Sequence, residues 1–433
     1  MLNHKKIVGG VIGYVNVVAC RGGYTTSRYY SFANNRTKQQ LYAFGSNENL
    51  KLGVPGIEDR NVPTQITNLD PFINIKSFGS SWLHSYLLSK DETNDSTKVY
   101  MWGNNRSGNM GLPAESYKYP VLVDILKNIA KISIGRSFSL ALTNDGKLLS
   151  MGENSFGQLG LGHSLNTPTP TLIQDLASQE IVDISTGLDH CVAVTKSGHV
   201  FAWGYNLEGQ LGQKIVEYQT TTSTAIPVDE KEAFSNFEPD VEYNTPTLVP
   251  GLESIKIAKV FCGFDNTLLL SARGNVYGFG SNDVGSLGLG SELKGRLMKP
   301  TKIPMGNEKV QSLSSGPSHT MFVTNQNNVY VCGWGREGRL GLGDNTSDRD
   351  TPTLIEYFKE NNIKIVKVAA GGSHSLALSQ DNQVYSWGNG ANGKLGHGNE
   401  TEQKIPKLIE SLKNKKAIDI AAGIDSSFVL VEN

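Results

Sequence analysis

Apolar residues alternate with polar ones in short runs along most of the chain, and the clearest example lies between Ile365 and Gly398. There the sequence reads IVKVAAGGSHSLALSQDNQVYSWGNGANGKLGHG, and the alternation is broken by glycines and by the turn Gln380–Asn382. Period-two runs bounded by Gly, Asn and Asp predict β-strands joined by tight turns. With a last short run at Ile405–Ile409, the pattern predicts four strands in about 50 residues, the size of one propeller blade.

This unit recurs about seven times along the chain, and three markers identify its copies. An aromatic residue or Met followed by Gly ends the third predicted strand at Phe44-Gly45, Trp102-Gly103, Met151-Gly152, Trp203-Gly204, Phe279-Gly280, Trp334-Gly335 and Trp387-Gly388. A glycine turn links the first two predicted strands at Gly79, Gly135, Gly187, Gly263, Gly316, Gly371 and Gly423. A proline precedes each fourth strand at Pro63, Pro120, Pro168, Pro246, Pro300, Pro352 and Pro406. The markers predict an all-β fold, a seven-bladed β-propeller of four-stranded blades.

The same markers predict how the ring is built. Proline cannot donate to a β-ladder, so the fourth strand is expected at the outer edge of each blade. The chain enters at a third strand, Leu41–Phe44, and ends after a second strand, around Phe428–Val431. The two C-terminal strands are therefore expected to pair with the two N-terminal ones and to close a propeller that spans residues 41–433.

Composition excludes several classes of function. The chain has 40 Lys and Arg against 41 Asp and Glu, so its net charge lacks the basic excess of a nucleic-acid-binding surface. Direct nucleic-acid binding is therefore not expected. The four cysteines, Cys20, Cys191, Cys262 and Cys332, lie far apart and form no CxxC pair. This spacing argues against a disulfide framework or a structural zinc site. The sequence has no run of 18 apolar residues, so no ordinary transmembrane helix is expected.

Candidate chemistry is sparse. Histidines follow the glycine turn in four repeats: His84, His190, His319 and His374. Of these, His84 stands two residues late. The other repeats have Phe138, Asn266 or Ser426 at this position. Spread around a ring at one per blade, these histidines are expected to be structural and not metal ligands. The sequence shows neither a Ser/His/Asp nucleophile elbow nor a paired-carboxylate signature, so an enzyme active site is not supported. No metal or cofactor is expected.

The first 47 residues differ in composition from the rest. They contain no acidic residue, but they include several hydroxylated residues and six cations: Lys5, Lys6, Arg21, Arg28, Arg36 and Lys38. This composition is typical of a mitochondrial transit peptide, and the run Arg28–Ser31 resembles a processing site with cleavage after Tyr30. We predict a transit peptide over residues 1–30, a linker over residues 31–40 and mitochondrial localisation. A secretory signal, a lipobox at Cys20 and an unprocessed cytosolic or nuclear start are the alternatives.

Two segments interrupt the repeat. Lys90–Lys98 lengthens the turn between the second and third strands of an early blade. Gln213–Tyr243 is an acidic insertion after the third strand of another blade, with Glu217, Asp229, Glu230, Glu232, Glu238, Asp240 and Glu242 against only two lysines. This insertion is either a solvated, mobile loop or a partner-binding arm, since loops on rigid scaffolds often carry recognition. For the second case, the candidate contacts are Glu230, Glu232 and Asp240.

These repeats resemble the regulator of chromosome condensation family, whose members are seven-bladed propellers. The resemblance covers about residues 41–433 and is carried by the motifs AAGGSHSLALS, VYSWG, GQLGLG and GRLGLGDNTSDRDTPTLI. Three other stretches look closer to the mitochondrial, Williams-Beuren-region branch of the family: YAFGSNENLKLGVP, STKVYMWG and SMGENSFGQLG.

The resemblance implies a candidate site. Nuclear members are nucleotide exchange factors for a small GTPase, and they use one propeller face with an aspartate in the third glycine turn, in an SGxDH context. The third turn here reads STGLDH over residues 185–190, which makes Asp189 and His190 candidate partner-binding residues. Nuclear members also insert a β-wedge from the loop that here is the short Gly152–Gly160, which leaves no room for a wedge.

The mitochondrial branch is implied to act in mitochondrial ribosome and rRNA biogenesis, or as an exchange factor for the inner-membrane dynamin-like GTPase. We therefore expect a monomeric, non-catalytic propeller in the matrix or peripherally on the matrix face of the inner membrane. Its partner would be a mitochondrial GTPase or mitoribosomal assembly proteins. The alternative is an assembly scaffold for a respiratory-chain or other mitochondrial complex, without exchange activity. Five repeat residues are expected to be structural: Gly187, His319, His374, Trp387 and Gly388.

Overall fold

The computed structural model describes residues 6–8, 11–13, 38–70, 72–91, 96–214 and 242–433. The chain divides into two units, residues 1–37 and residues 38–433. Within the first unit, β1 (Lys6–Val8) and β2 (Val11–Gly13) pair as an antiparallel hairpin. The predicted cleavage site after Tyr30, most of the linker, and the acidic candidates Glu230, Glu232 and Asp240 lie outside the described residues.

Residues 38–433 form seven four-stranded antiparallel sheets, so the predicted seven-bladed propeller is confirmed. The second unit opens with β3 (Gln39–Gly45) and β4 (Arg60–Gln65). Blade 2 contains β5 (Asn74–Ser80), β6 (His84–Lys90), β7 (Thr97–Asn104) and β8 (Ser116–Lys127). Blade 3 contains β9 (Ile129–Ile134), β10 (Phe138–Thr143), β11 (Leu148–Gly152) and β12 (Thr167–Leu172). Blade 4 contains β13 (Ile181–Thr186), β14 (His190–Thr195), β15 (Val200–Tyr205) and β16 (Glu242–Leu248).

The remaining blades follow the same order. Blade 5 contains β17 (Ile257–Cys262), β18 (Asn266–Ser271), β19 (Val276–Ser281) and β20 (Arg296–Lys302). Blade 6 contains β21 (Val310–Ser315), β22 (His319–Thr324), β23 (Val329–Gly333) and β24 (Arg349–Leu354). Blade 7 contains β25 (Ile365–Ala370), β26 (His374–Ser379), β27 (Val384–Gly388) and β28 (Gln403–Leu408). The short helix α1 (Glu356–Glu360) and several 3₁₀ turns lie between strands: Glu48–Leu50, Gln174–Leu176, Ser291–Leu293, Arg336–Gly338, Ala391–Gly393 and Glu410–Leu412.

Blade 1 closes the ring from both ends of the unit, as predicted. The C-terminal strands β29 (Lys416–Ala422) and β30 (Ser426–Glu432) join β3 and β4 in the order β29-β30-β3-β4. The pairing of β30 with β3 is regular from Gln39 opposite Glu432 to Gly45 opposite Ser426. Blade 1 therefore has four strands, as the other six blades do, and the ring has no unpaired blade edge where its two ends meet.

The core consists of clusters between neighbouring blades. The cluster between blades 6 and 7 contains Val331 of β23, Phe358 of α1 and Trp387 of β27, all buried. The rings of Phe358 and Trp387 pack edge to face with centroids 5.8 Å apart. Corresponding clusters fill the other inter-blade spaces. A single blade thus buries its faces only when it has a neighbour on each side.

The glycine that ends each third strand is required by the turn beside it. Gly204 has φ +99°, and a Cβ built there would lie 2.5 Å from the carbonyl oxygen of Asp189. The next backbone N–H, of Tyr205, donates to that carbonyl at 2.9 Å. Gly388 repeats this arrangement with φ +105° and a Cβ position 2.6 Å from the carbonyl oxygen of Ser373. Because φ is positive and another backbone segment lies so close, residues other than glycine are excluded at this position.

Three of the sequence markers are placed differently in the structure. In blade 6 the strand-ending glycine is Gly333 after Cys332, because Gly333 pairs with His319, so the assignment to Trp334-Gly335 was wrong. In blade 2 the N–H that bonds the His84 carbonyl belongs to Ser81, so Gly79 is not the turn residue and His84 is in register. In blade 3 the repeat proline is Pro170, since its neighbour Thr171 pairs with Ser150 as Thr247 pairs with Ala202.

The repeat prolines lie within the fourth strands and not before them. Each fourth strand is the outer edge, as predicted, and its pairing shifts register where the proline lies. In blade 4, for example, Ala202 pairs with Thr247 and Gly204 pairs with Tyr243, so Pro246 lies in a bulge. A residue without an N–H is tolerated there because the ladder is already interrupted.

The structure places the four repeat histidines at the boundaries between blades. His319 Nε2 lies 2.9 Å from Ser375 Oγ of the next blade, and that hydroxyl donates to the carbonyl of Arg339 at 2.8 Å. Because the hydroxyl proton is used in that bond, His319 donates from Nε2. Trp387 Nε1 donates to the same carbonyl at 3.0 Å. Burial lowers the pKa of each of the four histidines to about 3, so all are neutral.

The same relay recurs wherever the histidine is present. The pairs are His84 with Ser139, His190 with Thr267, and His374 with Ser427, all at 2.9–3.0 Å. In blade 3 the histidine position is Phe138, and Cys191 takes the place of the hydroxyl in the next blade. Gly187 and Gly371 lie against the imidazole rings, where a Cβ would come within 2.1 and 2.2 Å of Cε1 of His190 and His374.

Ser427→Ala is expected to destabilise the ring. The change removes the acceptor of the His374 Nε2–H, and an unpaired buried donor costs about 1–3 kcal/mol. Ser427→Thr is the matched control, because Thr267 occupies the equivalent position and makes the same bonds. Denaturant unfolding monitored by tryptophan fluorescence should show a lower free energy of unfolding for the Ala variant and little change for the Thr variant. Equal stability of both variants would show that the relay contributes nothing.

Deletion of residues 417–433 is expected to abolish cooperative unfolding of the propeller. It removes β29 and β30, so β3 and β4 lose the two strands that complete their sheet. The apolar clusters on both sides of blade 1 lose the side chains that these strands contribute. A circular permutant is the control, because the Asn433 N–H bonds the Lys38 carbonyl at 2.9 Å and a short linker can join these ends. With new ends at the exposed Gly306, it should melt close to the wild type. A truncated protein that melts like the full-length one would refute closure as a source of stability.

Candidate functional site

Two sets of connections emerge at the same end of the propeller. These are the turns between first and second strands and the loops between third and fourth strands, which are joined by bonds such as that from the Tyr205 N–H to the Asp189 carbonyl. We call this end the turn face and the other end the opposite face. Asp189 lies on the turn face, and so does the base of the acidic insertion, which connects β15 to β16. The Lys90–Lys98 segment connects β6 to β7 on the opposite face.

The turns of all seven blades line a pocket at the centre of the turn face, around the propeller axis. Trp82 of blade 2 and Phe264 of blade 5 meet across this pocket, with ring centroids 6.1 Å apart at an angle of 31°. Trp82 remains 43% exposed. Leu188 and other apolar turn residues complete the lining, in which Arg136 is the one charged side chain among the described residues. The centre of the turn face is therefore apolar and aromatic.

Asp189 lies beside this pocket, where it is largely buried. Its side chain is 8% exposed, and Arg136 Nη2 lies 3.0 Å from Oδ2. Its other carboxylate oxygen, Oδ1, is buried and makes no hydrogen bond within the described residues. Burial is the main cause that raises the pKa of Asp189, Arg136 opposes it, and with smaller contributions from Glu153 and Asp265 the pKa is about 6. The site therefore holds a carboxylate whose charge is costly and only partly compensated.

Neighbouring acids extend this charge along one side of the turn face. Asp265 occupies the equivalent turn position in blade 5, and burial, together with Glu208, raises its pKa to about 6. Arg136 is the common cation of Asp189 and Asp265, and Arg296 pairs with Glu208 at 3.2 Å. This arrangement gives blades 3 to 5 an acidic side that would attract cationic groups of a partner.

In blades 6, 7 and 1, across the turn face from the acidic side, buried cations bond the turns and loops. Lys394 in the loop of blade 7 binds Asp425 Oδ1 at 2.6 Å. Burial opposes ionisation of Asp425, but the Lys394 ammonium outweighs it and lowers the pKa of Asp425. Arg339 of blade 6 donates to Gly372 O at 3.0 Å and stacks over Trp334 at 4.5 Å from the ring centroid. Lys394 thus compensates the charge of Asp425, whereas Arg136 compensates that of Asp189, at the equivalent position, only in part.

His190, the second candidate contact, is fully buried. Its Nε2 bonds Thr267, and burial lowers its pKa to about 3. A direct contact of His190 with a partner would require the turn of blade 4 to open. Its role as a contact residue stays a prediction, and the structure places it under Asp189.

Aromatic side chains and the base of the acidic insertion adjoin Asp189. Phe156 of the blade 3 loop packs against Tyr205 of β15 with ring centroids 4.8 Å apart. The insertion leaves after Lys214 and returns at Glu242, and the Tyr243 hydroxyl donates to the Lys214 carbonyl at 3.1 Å. The two ends of the insertion are therefore fastened together next to the acidic side.

Sequence reasoning missed Arg136, Trp82 and Phe264. All three stand directly after the turn residue of their repeats, at the position where other blades have Leu188, Pro317 or Gly372. A variable position inside an otherwise constant turn was the available signal. Arg136 meets Asp189 because consecutive blades pack side by side, and Trp82 meets Phe264 because the ring brings blades 2 and 5 together across its axis.

The part of the chain that the structure describes contains neither a cluster of potential metal ligands nor a membrane-spanning helix. Among these residues, no group of three or more His, Cys, Asp and Glu side chains is placed to hold a metal ion. No helix in the same residues is long and apolar enough to cross a membrane.

Comparison with known proteins identifies the family. Residues 41–429 match the family model of the RCC1-like domain. The protein belongs to this family. The Arabidopsis thaliana ultraviolet-B receptor UVR8 is 32% identical over 390 residues, which cover 89% of this chain and 80% of UVR8. The mitochondrial RCC1 domain-containing protein RUG3 of the same plant is 28% identical over 362 residues, or 77% of this chain and 75% of RUG3.

Solved structures share the fold. Human WBSCR16 superposes with a TM-score of 0.75 at 23% identity, over 91% of this chain and 99% of WBSCR16. Prp20p of Saccharomyces cerevisiae, described with its binding to Gsp1p and histones, gives a TM-score of 0.75 at 21% identity, over 91% of each chain. The family resemblance drawn from the repeat motifs is confirmed, and WBSCR16 shares the fold.

Asp189→Asn is expected to change how stability depends on pH. The pKa of Asp189 is about 6 in the folded chain and about 4 when unfolded, so the folded state binds the proton more tightly. Stability is therefore lost as pH rises from about 4 to about 6, and Asn lacks this loss. Relative to the wild type, the melting temperature of Asp189→Asn should rise by up to about 3 °C between pH 4.5 and 6.5. Asp283→Asn, on the exposed loop of blade 5, is the control, and a difference that stays constant with pH would contradict the buried-charge account.

Proposed function

We propose that this protein is a mitochondrial, non-catalytic RCC1-like propeller that binds a protein partner through its turn face. In this proposal it acts as an exchange-type regulator of a mitochondrial GTPase, in mitochondrial ribosome (rRNA) biogenesis, or in both. The observation that carries the proposal is the position of Asp189. This aspartate of the third turn lies on the turn face with an unbonded carboxylate oxygen, on the acidic side of the central pocket.

The chemistry of the turn face favours a folded protein as the partner. Its centre offers Trp82 and Phe264, and aromatic residues are enriched among the side chains that dominate binding energy. The acids of blades 3 to 5 would steer cationic groups of the partner towards Asp189. The 213–243 insertion starts and ends beside this surface, so its acids, including Glu230, Glu232 and Asp240, are proposed to extend the same contact.

Mitochondrial localisation has two independent supports. The first 47 residues have the acid-free, basic and hydroxylated composition of a transit peptide. RUG3, which is related over most of its length, is a mitochondrial protein. We place the monomeric propeller in the matrix or peripherally on the matrix face of the inner membrane.

One observation favours a second candidate, an assembly scaffold of a respiratory-chain or other mitochondrial complex without exchange activity. The loop between β11 and β12 holds no strand and folds back through bonds such as that from the Leu159 N–H to Asn154 Oδ1. It therefore offers no β-wedge of the kind that nuclear exchange factors of the family are expected to insert. Binding through the turn face is common to both candidates, and nucleotide release distinguishes them.

The exchange proposal is tested by measuring release of fluorescent GDP from purified mitochondrial GTPases. The wild-type propeller is expected to accelerate release from one of them, and Asp189→Ala should reduce the acceleration about tenfold or more, as loss of an interface hot spot does. Asp425→Ala is the matched control, since Asp425 holds the equivalent turn position in blade 1.

Two outcomes would count against exchange. Release that is accelerated equally by the wild type and Asp189→Ala would exclude this part of the turn face. If no GTPase responds to the wild type, the scaffold candidate is favoured. Affinity capture from mitochondria would then be expected to recover ribosomal-subunit or respiratory-complex proteins with the wild type and less with Asp189→Ala.

A further inference from the structure

A polar side chain stands at one repeated position in each loop of the turn face, directly before the leucine or methionine of the loop. The residues are Lys51, Asn109, Gln158, Gln210, Ser286, Arg339 and Lys394, and all are buried. In two of the loops this side chain bonds a carboxylate in the turn of the next blade. Lys394 Nζ binds Asp425 Oδ1 at 2.6 Å, and Gln210 Nε2 donates to Asp265 Oδ1 at 3.4 Å.

Blades 3 and 4 contain the same pair of residue types, but the bond is absent. Gln158 Nε2 and Asp189 Oδ1 are both buried, and neither has a hydrogen-bond partner within the described residues. The two residues are neighbours, because a Cβ built at Gly204 would lie 2.5 Å from the Asp189 carbonyl oxygen and 3.3 Å from Gln158 Cα. Two neighbouring residues therefore carry an unpaired buried donor and an unpaired buried acceptor, and each is costly.

The orientation of Gln158 does not explain the missing bond. Its Oε1 accepts from the Phe156 N–H at 2.9 Å, and Gln210 Oε1 accepts from the Glu208 N–H at 2.9 Å in the same way. Both glutamines are thus held by the same backbone contact, with the amide nitrogen free to serve the next blade. The difference lies in the aspartate.

Asp189 differs from the other two aspartates in having Arg136 beside it. It stands one blade before Asp189, directly after the turn glycine, and its Nη2 lies 3.0 Å from Asp189 Oδ2. The corresponding position before Asp265 is Leu188, and before Asp425 it is Gly372, and neither carries a charge. A guanidinium–carboxylate bond is stronger than a bond from a neutral amide, so the bond to Arg136 dominates the orientation of the Asp189 carboxylate.

We propose that Arg136 is a positioning residue that holds Asp189 away from Gln158, and that Asp189 turns to Gln158 once Arg136 is drawn away. Resting on the proposed function, this gives the turn face two states, which differ in whether Arg136 or Gln158 bonds Asp189. The Arg136 side chain is 36% exposed at the mouth of the central pocket, whereas Asp189 is 8% exposed and Gln158 is fully buried. Of the three side chains, Arg136 is the one that a partner reaches first.

The test uses the isolated protein and a matched pair of variants, Gln158→Met and Gln210→Met. Both lose the same bond from a backbone N–H, and only Gln210→Met also loses a bond to a carboxylate. In the wild-type background, Gln210→Met should therefore lower the melting temperature by about 2 °C more than Gln158→Met. In an Arg136→Leu background, Gln158→Met should become as costly as Gln210→Met. Arg136→Lys keeps the cation, so in that background the gap between the two variants should persist.

Leucine is a natural residue at this position, since Leu188 occupies it in blade 4. If the leucine variant does not fold, Arg136→Gly replaces it, because Gly372 occupies the same position in blade 7. The crystal structure of the Arg136 variant supplies the direct readout, and we expect Gln158 Nε2 within hydrogen-bond distance of Asp189 Oδ1. Asp189 unmoved in that crystal, or equal costs of the two Met variants already in the wild-type background, would overturn the proposal. Because no GTPase is involved, this result is independent of whether exchange activity exists.

Discussion

Every blade of this propeller buries its two faces only against the blades beside it, and the rest of the structure depends on that constraint. The apolar clusters lie between blades, and the histidine–hydroxyl–carbonyl relays cross the same boundaries. An open row of blades would leave two apolar faces and two sets of relay groups exposed to water. Closure through blade 1 removes both, which is why the chain supplies this blade from its two ends.

The closed ring also determines where function is possible. Backbone bonds and glycines fix the turns in nearly identical positions, so the turn face is a rigid surface whose chemistry varies only in the side chains between those bonds. At Asp425 the variation supplies a buried lysine and full compensation of the charge. At Asp189 it supplies a partly exposed arginine and leaves one carboxylate oxygen without a bond. Deviations from the repeat, and not the repeat itself, therefore give this face its character.

The fold was predictable because its markers follow from backbone geometry. A glycine at positive φ beside a carbonyl and a proline in an outer bulge recur with the period of the blade, and a histidine lies under the turn in four of the seven blades. Errors arose where a chance residue imitated a marker, as Trp334-Gly335 did beside Cys332-Gly333, or where another residue replaced it, as Ser81 did. The candidate site was only partly predictable. Family resemblance marked Asp189, but its contact with Arg136 joins different blades and has no signature in sequence spacing.

The central claim is that the turn face beside Asp189 is where a partner binds, and a pair of photo-crosslinking positions tests it most directly. Benzoylphenylalanine would replace Phe156 on the turn face or Phe72 on the opposite face, both in the full chain expressed in mitochondria. Phe72 is exposed in the connection from β4 to β5. The account predicts a specific protein crosslink from position 156 that Asp189→Ala weakens, and none from position 72. Crosslinks of one defined partner from position 72 alone would contradict it.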